Sequence, residues 1–100
     1  MFVRIARFEG GDPAKVDETI SGVRSKMDEG PRPPGLEDAR RSMMLVDRKA
    51  GAGLGLTFFD TEDAMRRGDE TLNQMTPPGD VTGRRTSVEM YEVAIDREWN

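Results

Sequence analysis

Four short apolar runs and two amphipathic helical segments follow one another in this sequence, in the order strand, helix, strand, strand, helix, strand. Each apolar run carries apolar side chains on both of its faces, whereas each helical segment carries one narrow apolar stripe. Two helices can cover only one face of a four-stranded sheet. The pattern therefore predicts one α+β domain over residues 1–100, with a second apolar sheet face that a partner has to cover.

The first half of the pattern contains one strand and one helix. The strand is predicted over Phe2–Phe8. The helix opens at Asp12-Pro13, because a carboxylate can cap the free amides and proline loses no hydrogen bond at that position. The proline-rich segment from Gly30 to Gly35 ends it. At helical spacing, the predicted buried stripe consists of Val16, Ile20, Val23 and Met27.

The second half adds a strand over Ala39–Arg48, a short turn, and a strand over Ala52–Phe59. The second helix is predicted to open with a cap at Asp60-Thr61 and to end at 76–79. A last strand runs from about Arg84 to Ile95. The predicted buried stripe of this helix consists of Ala64, Gly68, Leu72 and Met75. Its predicted solvent side consists of Arg66, Arg67, Asp69, Glu70 and Asn73.

Two strand–helix–strand units with right-handed crossovers build a ferredoxin-like βαββαβ fold. In this fold the sheet is antiparallel and four-stranded, both helices lie on one face, and the first and third strands are central. The other sheet face carries large apolar side chains from all four strands. Because a monomer rarely exposes such a patch, the sequence predicts a homodimer that forms through the sheet faces.

Composition excludes several classes of function. The sequence contains no cysteine and no histidine, which removes disulfides, thiolate chemistry and the commonest metal and haem ligands. We therefore predict neither a cofactor nor a metal site. A net charge of -4 disfavours nucleic acid as a partner. No apolar stretch reaches membrane length, and the first residues lack a signal-peptide layout, so we expect a cytoplasmic protein without a membrane partner.

The same element order also builds RNA-recognition motifs. The spacing of Gly53–Phe59 follows the third-strand signature of those domains. Leucines, Leu54 and Leu56, occupy the positions where rings would stack on bases, so the residues that hold single strands are missing. RNA binding is therefore the third alternative for function.

Three segments resemble the antibiotic biosynthesis monooxygenase-like family of dimeric α+β barrels. They are Leu56–Met65 at the join of the third strand and second helix, the opening Phe2–Phe8, and the closing Ser87–Val93. The resemblance implies a homodimer whose sheets face each other as a barrel, with a ligand pocket between sheet and helices. Enzymes of that family include cofactor-independent oxygenases acting on polyketide quinols and haem-degrading enzymes that use a histidine, so the resemblance makes a cofactor-independent oxygenase one expected activity. The family's first-strand asparagine and its histidine have no counterpart here, and its frequent tryptophan at the third strand appears as Phe59.

Three residues are candidates for a site. Arg4 is a predicted ligand-binding and catalytic residue that would hold an anionic group, and the competing interpretations are an ion pair with Glu89 or Glu92 or a buried arginine at the dimer interface. Tyr91, the only tyrosine, would bind the ligand and assist proton transfer, or would pack as a strand residue with its hydroxyl at the rim. Phe59 would line the pocket or belong to the core.

Two hypotheses of function remain open from the sequence. One is a homodimeric domain that binds a hydrophobic or aromatic metabolite and acts as a cofactor-free monooxygenase. The other is a non-catalytic binding or accessory dimer of the same fold. The residues do not decide between an enzyme and a binding protein.

Overall fold

The computed structural model describes residues 1–28, 32–74 and 83–100 and contains one antiparallel sheet and two helices. The strands are β1 (Phe2–Glu9), β2 (Ala39–Asp47), β3 (Ala52–Phe59) and β4 (Arg84–Glu92), and the helices are α1 (Val16–Asp28) and α2 (Glu62–Gln74). The strand order is β2-β3-β1-β4. The predicted α+β class, ferredoxin-like fold and central positions of the first and third strands are confirmed.

Both crossovers pass over a central strand. β1 and β2 are parallel with β3 between them, and β3 and β4 are parallel with β1 between them. Right-handed crossovers of this kind place both helices on the same side of the sheet. We call this side the helix face, which includes Arg4 and Phe59, and the opposite side the open face, which includes Phe58 and Tyr91.

The start of α1 follows the sequence, whereas its buried stripe is shorter than predicted. The Asp12 carboxylate accepts a hydrogen bond from the Ala14 amide at 2.9 Å and caps a 3₁₀ turn that leads into α1. Val16 is buried and Ile20 and Val23 are half-buried, but Met27 is 59% exposed, so its predicted place in the stripe is wrong. The helix is buried mainly in its first turns, and the predicted stop at Gly30 lies outside the described residues.

The strand ends follow from local pairing. Asp47 ends β2, one residue before the predicted end, and its carboxylate accepts from the amides of Lys49 and Ala50 in the turn. β4 ends at Glu92 because that residue already pairs with Phe2, the first residue of β1. The predicted extension of this strand to Ile95 is therefore wrong, since it has no strand left to pair with.

The buried surface of α2 is wider than one stripe. Ala64 and Gly68 are buried as predicted, and the neighbouring ridge also turns inward, with Met65 3% exposed. Asp69 follows Met65 at a four-residue interval and is half-buried, so its predicted place on the solvent side is wrong. Asn73, four residues further on, is exposed as predicted, although its side-chain oxygen accepts from Arg4. Thr61 caps the helix by accepting from the Ala64 amide at 3.1 Å. Met75 and the predicted stop at 76–79 lie outside the described residues.

The apolar core is small for a chain of 100 residues. Phe59 is fully buried against Ala64 and Met65, and Phe2 and Leu36 pack on this cluster. Among the described residues, the buried apolar side chains are Val3, Ala6, Val16, Phe59, Ala64 and Met65. A core of this size leaves much apolar surface in contact with water, mainly on the strands.

Gly68 tests the packing of α2 on the sheet. A Cβ at this position would lie 2.7 Å from Cε1 of Phe59, so Gly68→Ala should lower the free energy of unfolding by about 1–3 kcal/mol through overpacking. Gly22 in α1 is the matched control, because nothing lies within 4 Å of its Cβ position and Gly22→Ala should stabilise by roughly 0.5–1 kcal/mol. Urea denaturation measures both. Equal effects would mean that α2 does not approach Phe59 as described.

Candidate functional site

Arg4 lies in the middle of β1 and points from the helix face toward α2. It is 4% exposed. Its Nε donates to the Asp69 carboxylate at 2.7 Å, and one terminal nitrogen donates to the Asn73 side-chain oxygen at 3.0 Å. The predicted partners, Glu89 and Glu92, are wrong. Met90 is the β4 residue opposite Arg4, Glu92 is opposite Phe2, and Glu89 is opposite Ile5 on the open face.

A β-bulge adds a second arginine to this group. The β1–β4 register shifts between Arg7 and Phe8, which aligns Arg85 with Phe8 on the helix face. Arg85 then donates to the same oxygen of Asn73 at 2.8 Å. The charge of Arg4 is thus neutralised by Asp69. Together with Asn73 and Arg85, this ion pair holds α2 against β1 and β4.

Phe59 lies in the core and not beside an open cavity. Its ring is fully buried, and Gly68 of α2 approaches it closely enough to exclude a side chain. The resemblance implies a pocket between sheet and helices, yet at Phe59 that space is filled by the chain itself. In this structure Phe59 therefore acts as the packing centre between β3 and α2.

Tyr91 lies on the open face and is 51% exposed. Its hydroxyl donates a hydrogen bond to the carboxylate of Glu89, two residues earlier on the same face of β4. This hydrogen bond, together with the negative charge of Glu89, raises the pKa of Tyr91 above its ordinary value, and Arg7 acts weakly in the opposite direction. The pair thus places a phenol and a carboxylate in direct hydrogen-bond contact on the open face.

The structure does not bring the three candidates together. Arg4 and Phe59 lie on the helix face, whereas Tyr91 lies on the open face. Within one subunit, one small ligand cannot contact both Arg4 and Tyr91 because the sheet separates them. Glu89 was missed as a functional partner of Tyr91, although the spacing of two residues on a strand placed them on one face.

The open face is an apolar floor with charges at its border. The strand register places these apolar side chains on it: Val3, Ile5, Met43, Leu45, Leu54, Leu56 and Phe58. Leu45 is 46% exposed. The border includes Arg7 on β1 and Arg41 on β2, and in the part of the chain that the structure describes neither forms an ion pair. The open face therefore combines apolar contact area with cations that are available to an anion.

Two clefts of about 260 Å³ each lie at the ends of this floor. One is lined by Arg7, Leu45 and Leu54 together with the end of the β2–β3 hairpin. The other is lined by Arg41, Met43 and Phe58 and closed on one side by Ile95 and Asp96 of the C-terminal segment. Each cleft thus has an apolar base and is lined by one arginine and one carboxylate, Asp47 in the first cleft and Asp96 in the second.

Neither a metal site nor a membrane span emerges from the described ranges 1–28, 32–74 and 83–100. Within them, acidic side chains nowhere form a group of three or more that could hold a metal ion. No helix in these ranges is long and apolar enough to cross a bilayer.

Comparisons with known proteins do not add a family. No protein-family model matches this sequence, and no curated protein matches it. The resemblance to the monooxygenase-like family therefore stays a prediction, and the site has to be judged from its own geometry.

The pair of Arg4 and Asp69 should matter for stability. Asp69→Ala leaves a buried guanidinium without its counter-charge, so we expect the free energy of unfolding to fall by about 2–4 kcal/mol. Asp60→Ala is the matched control, because it breaks the exposed ion pair with Arg40 and should cost about 0.2–1 kcal/mol. Chemical denaturation measures both. Similar losses in the two variants would contradict the buried pair.

The raised pKa of Tyr91 can be measured directly, since this is the only tyrosine. Ultraviolet difference absorbance should give a midpoint above the ordinary value near 10, and Glu89→Gln should lower it toward that value. Because the folded chain holds the phenol proton more tightly, this contribution to stability is present below the pKa of the unfolded chain and is lost as pH rises through the raised pKa. An unchanged midpoint in Glu89→Gln would show that the hydrogen bond does not hold the proton.

Proposed function

We propose that this chain forms a homodimer through its open face and binds a hydrophobic or aromatic metabolite in the space between the two sheets. The observation that carries the proposal is the apolar floor built by all three strands β1, β2 and β3, which the two helices leave uncovered. The proposal keeps the cytoplasmic location that the sequence predicts.

The size of the open face supports a second copy as the occupant. Four strands and about seven residues along each span an area of about 20 Å by 20 Å, or roughly 400 Å² in projection per copy. Protruding side chains, including the exposed Ile95 beside the open face, add to this projected area. The accessible surface that two copies would bury is then on the order of 1,000 Å², the size that a specific interface requires. The small core supports the same conclusion, because a second sheet would supply the apolar cover that the chain lacks.

The chemistry of the open face supports an aromatic ligand with one acidic group. Leu54, Leu56 and Phe58 offer apolar contact to rings, and Arg7 and Arg41 offer a planar cation to a carboxylate or phenolate. Arg4 was the predicted anchor for such an anion. Since Asp69 neutralises Arg4, the proposal gives the anchoring role to the arginines of the open face.

The activity we propose is a cofactor-independent monooxygenation of a phenol or quinol. Glu89 would take up the phenolic proton through or beside Tyr91, and the resulting electron-rich anion would itself reduce dioxygen. One oxygen atom would enter the ring, and the other would leave as water with two hydrogens lost from the substrate. The protein's own part is to bind, orient and deprotonate the substrate.

A second candidate is a non-catalytic binding or accessory dimer of the same fold. The positions of Arg4 and Phe59 favour it, because both side chains are engaged in holding α2 on the sheet. Both candidates require the dimer and differ only in the chemistry at Tyr91 and Glu89.

The dimer is tested by light scattering. We expect a mass of twice 11.2 kDa for the chain at micromolar concentration. Leu45→Glu places a charge on the open face and should yield a folded monomer. Met27→Glu is the control, because it alters another exposed apolar side chain, on α1, and should leave the dimer intact. A wild-type monomer would refute the proposal.

The chemistry is tested by oxygen uptake with a panel of aromatic quinols. Tyr91→Phe and Glu89→Gln should lower the rate by about 100-fold or more while the circular dichroism spectrum stays unchanged. Met27→Glu serves again as the control. Binding of the quinols without oxygen uptake would establish the non-catalytic candidate.

A further inference from the structure

We infer that the second copy docks with its two-fold axis parallel to the strands, so that Arg41 of each subunit meets Glu89 and Tyr91 of the other. This inference rests on the proposed dimer and adds its orientation and a composite site. It follows from the register of the sheet and the positions of its charges.

The open face can be described as rows of side chains across the strands β2, β3, β1 and β4. The first row contains Arg41, Phe58, Val3 and Tyr91. The second row contains Met43, Leu56, Ile5 and Glu89. The third row contains Leu45, Leu54, Arg7 and Ser87. One cation, Arg41, thus lies at a corner of the face, the other, Arg7, lies at the end of the central strand β1, and the Glu89 carboxylate lies at the middle of the β4 edge.

Two sheets that pack face to face keep their strands nearly aligned, and two symmetric arrangements satisfy this. If the two-fold axis ran across the strands, each strand would face itself with its rows reversed. Glu89 would then face Glu89 of the second copy in an apolar interface, and Arg41 would face Leu45. This arrangement places like charges together and leaves the arginine without a partner, so it is electrostatically unfavourable.

If the axis runs along the strands, β2 faces β4 of the second copy and the rows keep their order. Leu56 then faces Ile5, and Phe58 faces Val3, so the first two rows are apolar at the centre, while in the third row Arg7 faces Leu54 at the end of the sheet. Arg41 faces Tyr91 of the second copy, one row from Glu89. Packed sheets lie about 10 Å apart, a gap that an arginine and a glutamate side chain bridge together. The two-fold symmetry forms this ion pair twice.

This orientation completes the cleft at Arg41. The cleft has Met43 and Phe58 as its base, and it is open toward the solvent in the single chain. In the dimer, Tyr91 and Glu89 of the second copy close it. An aromatic acid or phenol in this cleft would contact the arginine of one subunit and the phenol–carboxylate pair of the other, so each site needs both subunits.

A charge exchange tests the ion pair. Arg41→Glu and Glu89→Arg should each raise the dimer dissociation constant by about tenfold or more, and the double variant should return it toward the wild-type value. Arg40→Glu is the control, because Arg40 is the neighbouring β2 arginine, pairs with Asp60 of its own chain and should leave the dimer unchanged. Sedimentation equilibrium measures all four. Failure of the double variant to recover would overturn the pairing.

Cross-linking tests the orientation without relying on charge. Because the chain has no cysteine, single cysteines can be placed at will. With the axis along the strands, a mixture of Met43→Cys and Glu89→Cys should cross-link through a short bismaleimide, and neither variant should do so alone. With the axis across the strands, each variant would cross-link with itself, which would overturn the inference.

The dimer and its orientation are contradicted by different results. A wild-type monomer in light scattering would remove the dimer and this orientation with it. A wild-type dimer in which Met43→Cys and Glu89→Cys do not cross-link with each other would keep the dimer and overturn the orientation and its composite site.

Discussion

Two helices packed on one face of a four-stranded sheet leave the other face to be covered by something else, and most properties of this chain follow from that constraint. The strand residues on the open face are mostly apolar, and the single chain covers them only in part, since Val3 is buried whereas Leu45 is 46% exposed. The buried core is correspondingly small, because half of the apolar strand positions do not contribute to it. The same surface therefore bears on the stability of the fold and is where the proposed ligand site lies.

The ion pair between Arg4 and Asp69 shows how the helix face is specified. A guanidinium in the middle of a central strand is unfavourable unless a carboxylate reaches it, and α2 supplies that carboxylate from the ridge beside its apolar stripe. The pair fixes the rotation of α2, since turning the helix by one position would remove Asp69 and expose Met65. Asn73 extends the same contact to Arg85 on β4, so one polar group positions the helix against two strands.

The element order, the strand faces and the sheet order were predictable because they depend on periodicity and on two crossovers. The partner of Arg4 was not predictable, because it lies 65 residues away on a helix whose exact rotation the stripe did not define. The apolar stripe with Ala64 and Gly68 predicted one buried ridge on α2, whereas a second ridge that begins at Met65 is also turned toward the sheet. The β-bulge that turns Arg85 to the helix face left no clear signal either, since a single extra residue in a strand does not alter its apolar pattern enough. By contrast, strand alternation places Tyr91 and Glu89 on one face, so their pairing was predictable from the sequence although it was not predicted.

The separation of Arg4 from Tyr91 by the sheet changes where chemistry is expected. On the helix face, the polar groups Arg4, Asp69 and Asn73 already bond to one another. The open face instead has an arginine, a phenol and a carboxylate around its apolar side chains. Within one chain, Arg41 and Tyr91 lie at opposite edges of the sheet, too far apart to hold the same small molecule. In the proposed dimer, a two-fold axis along the strands would place Arg41 of each subunit beside Tyr91 of the other. In the proposed dimer the binding site would therefore be a property of both subunits, and its occupancy would depend on assembly.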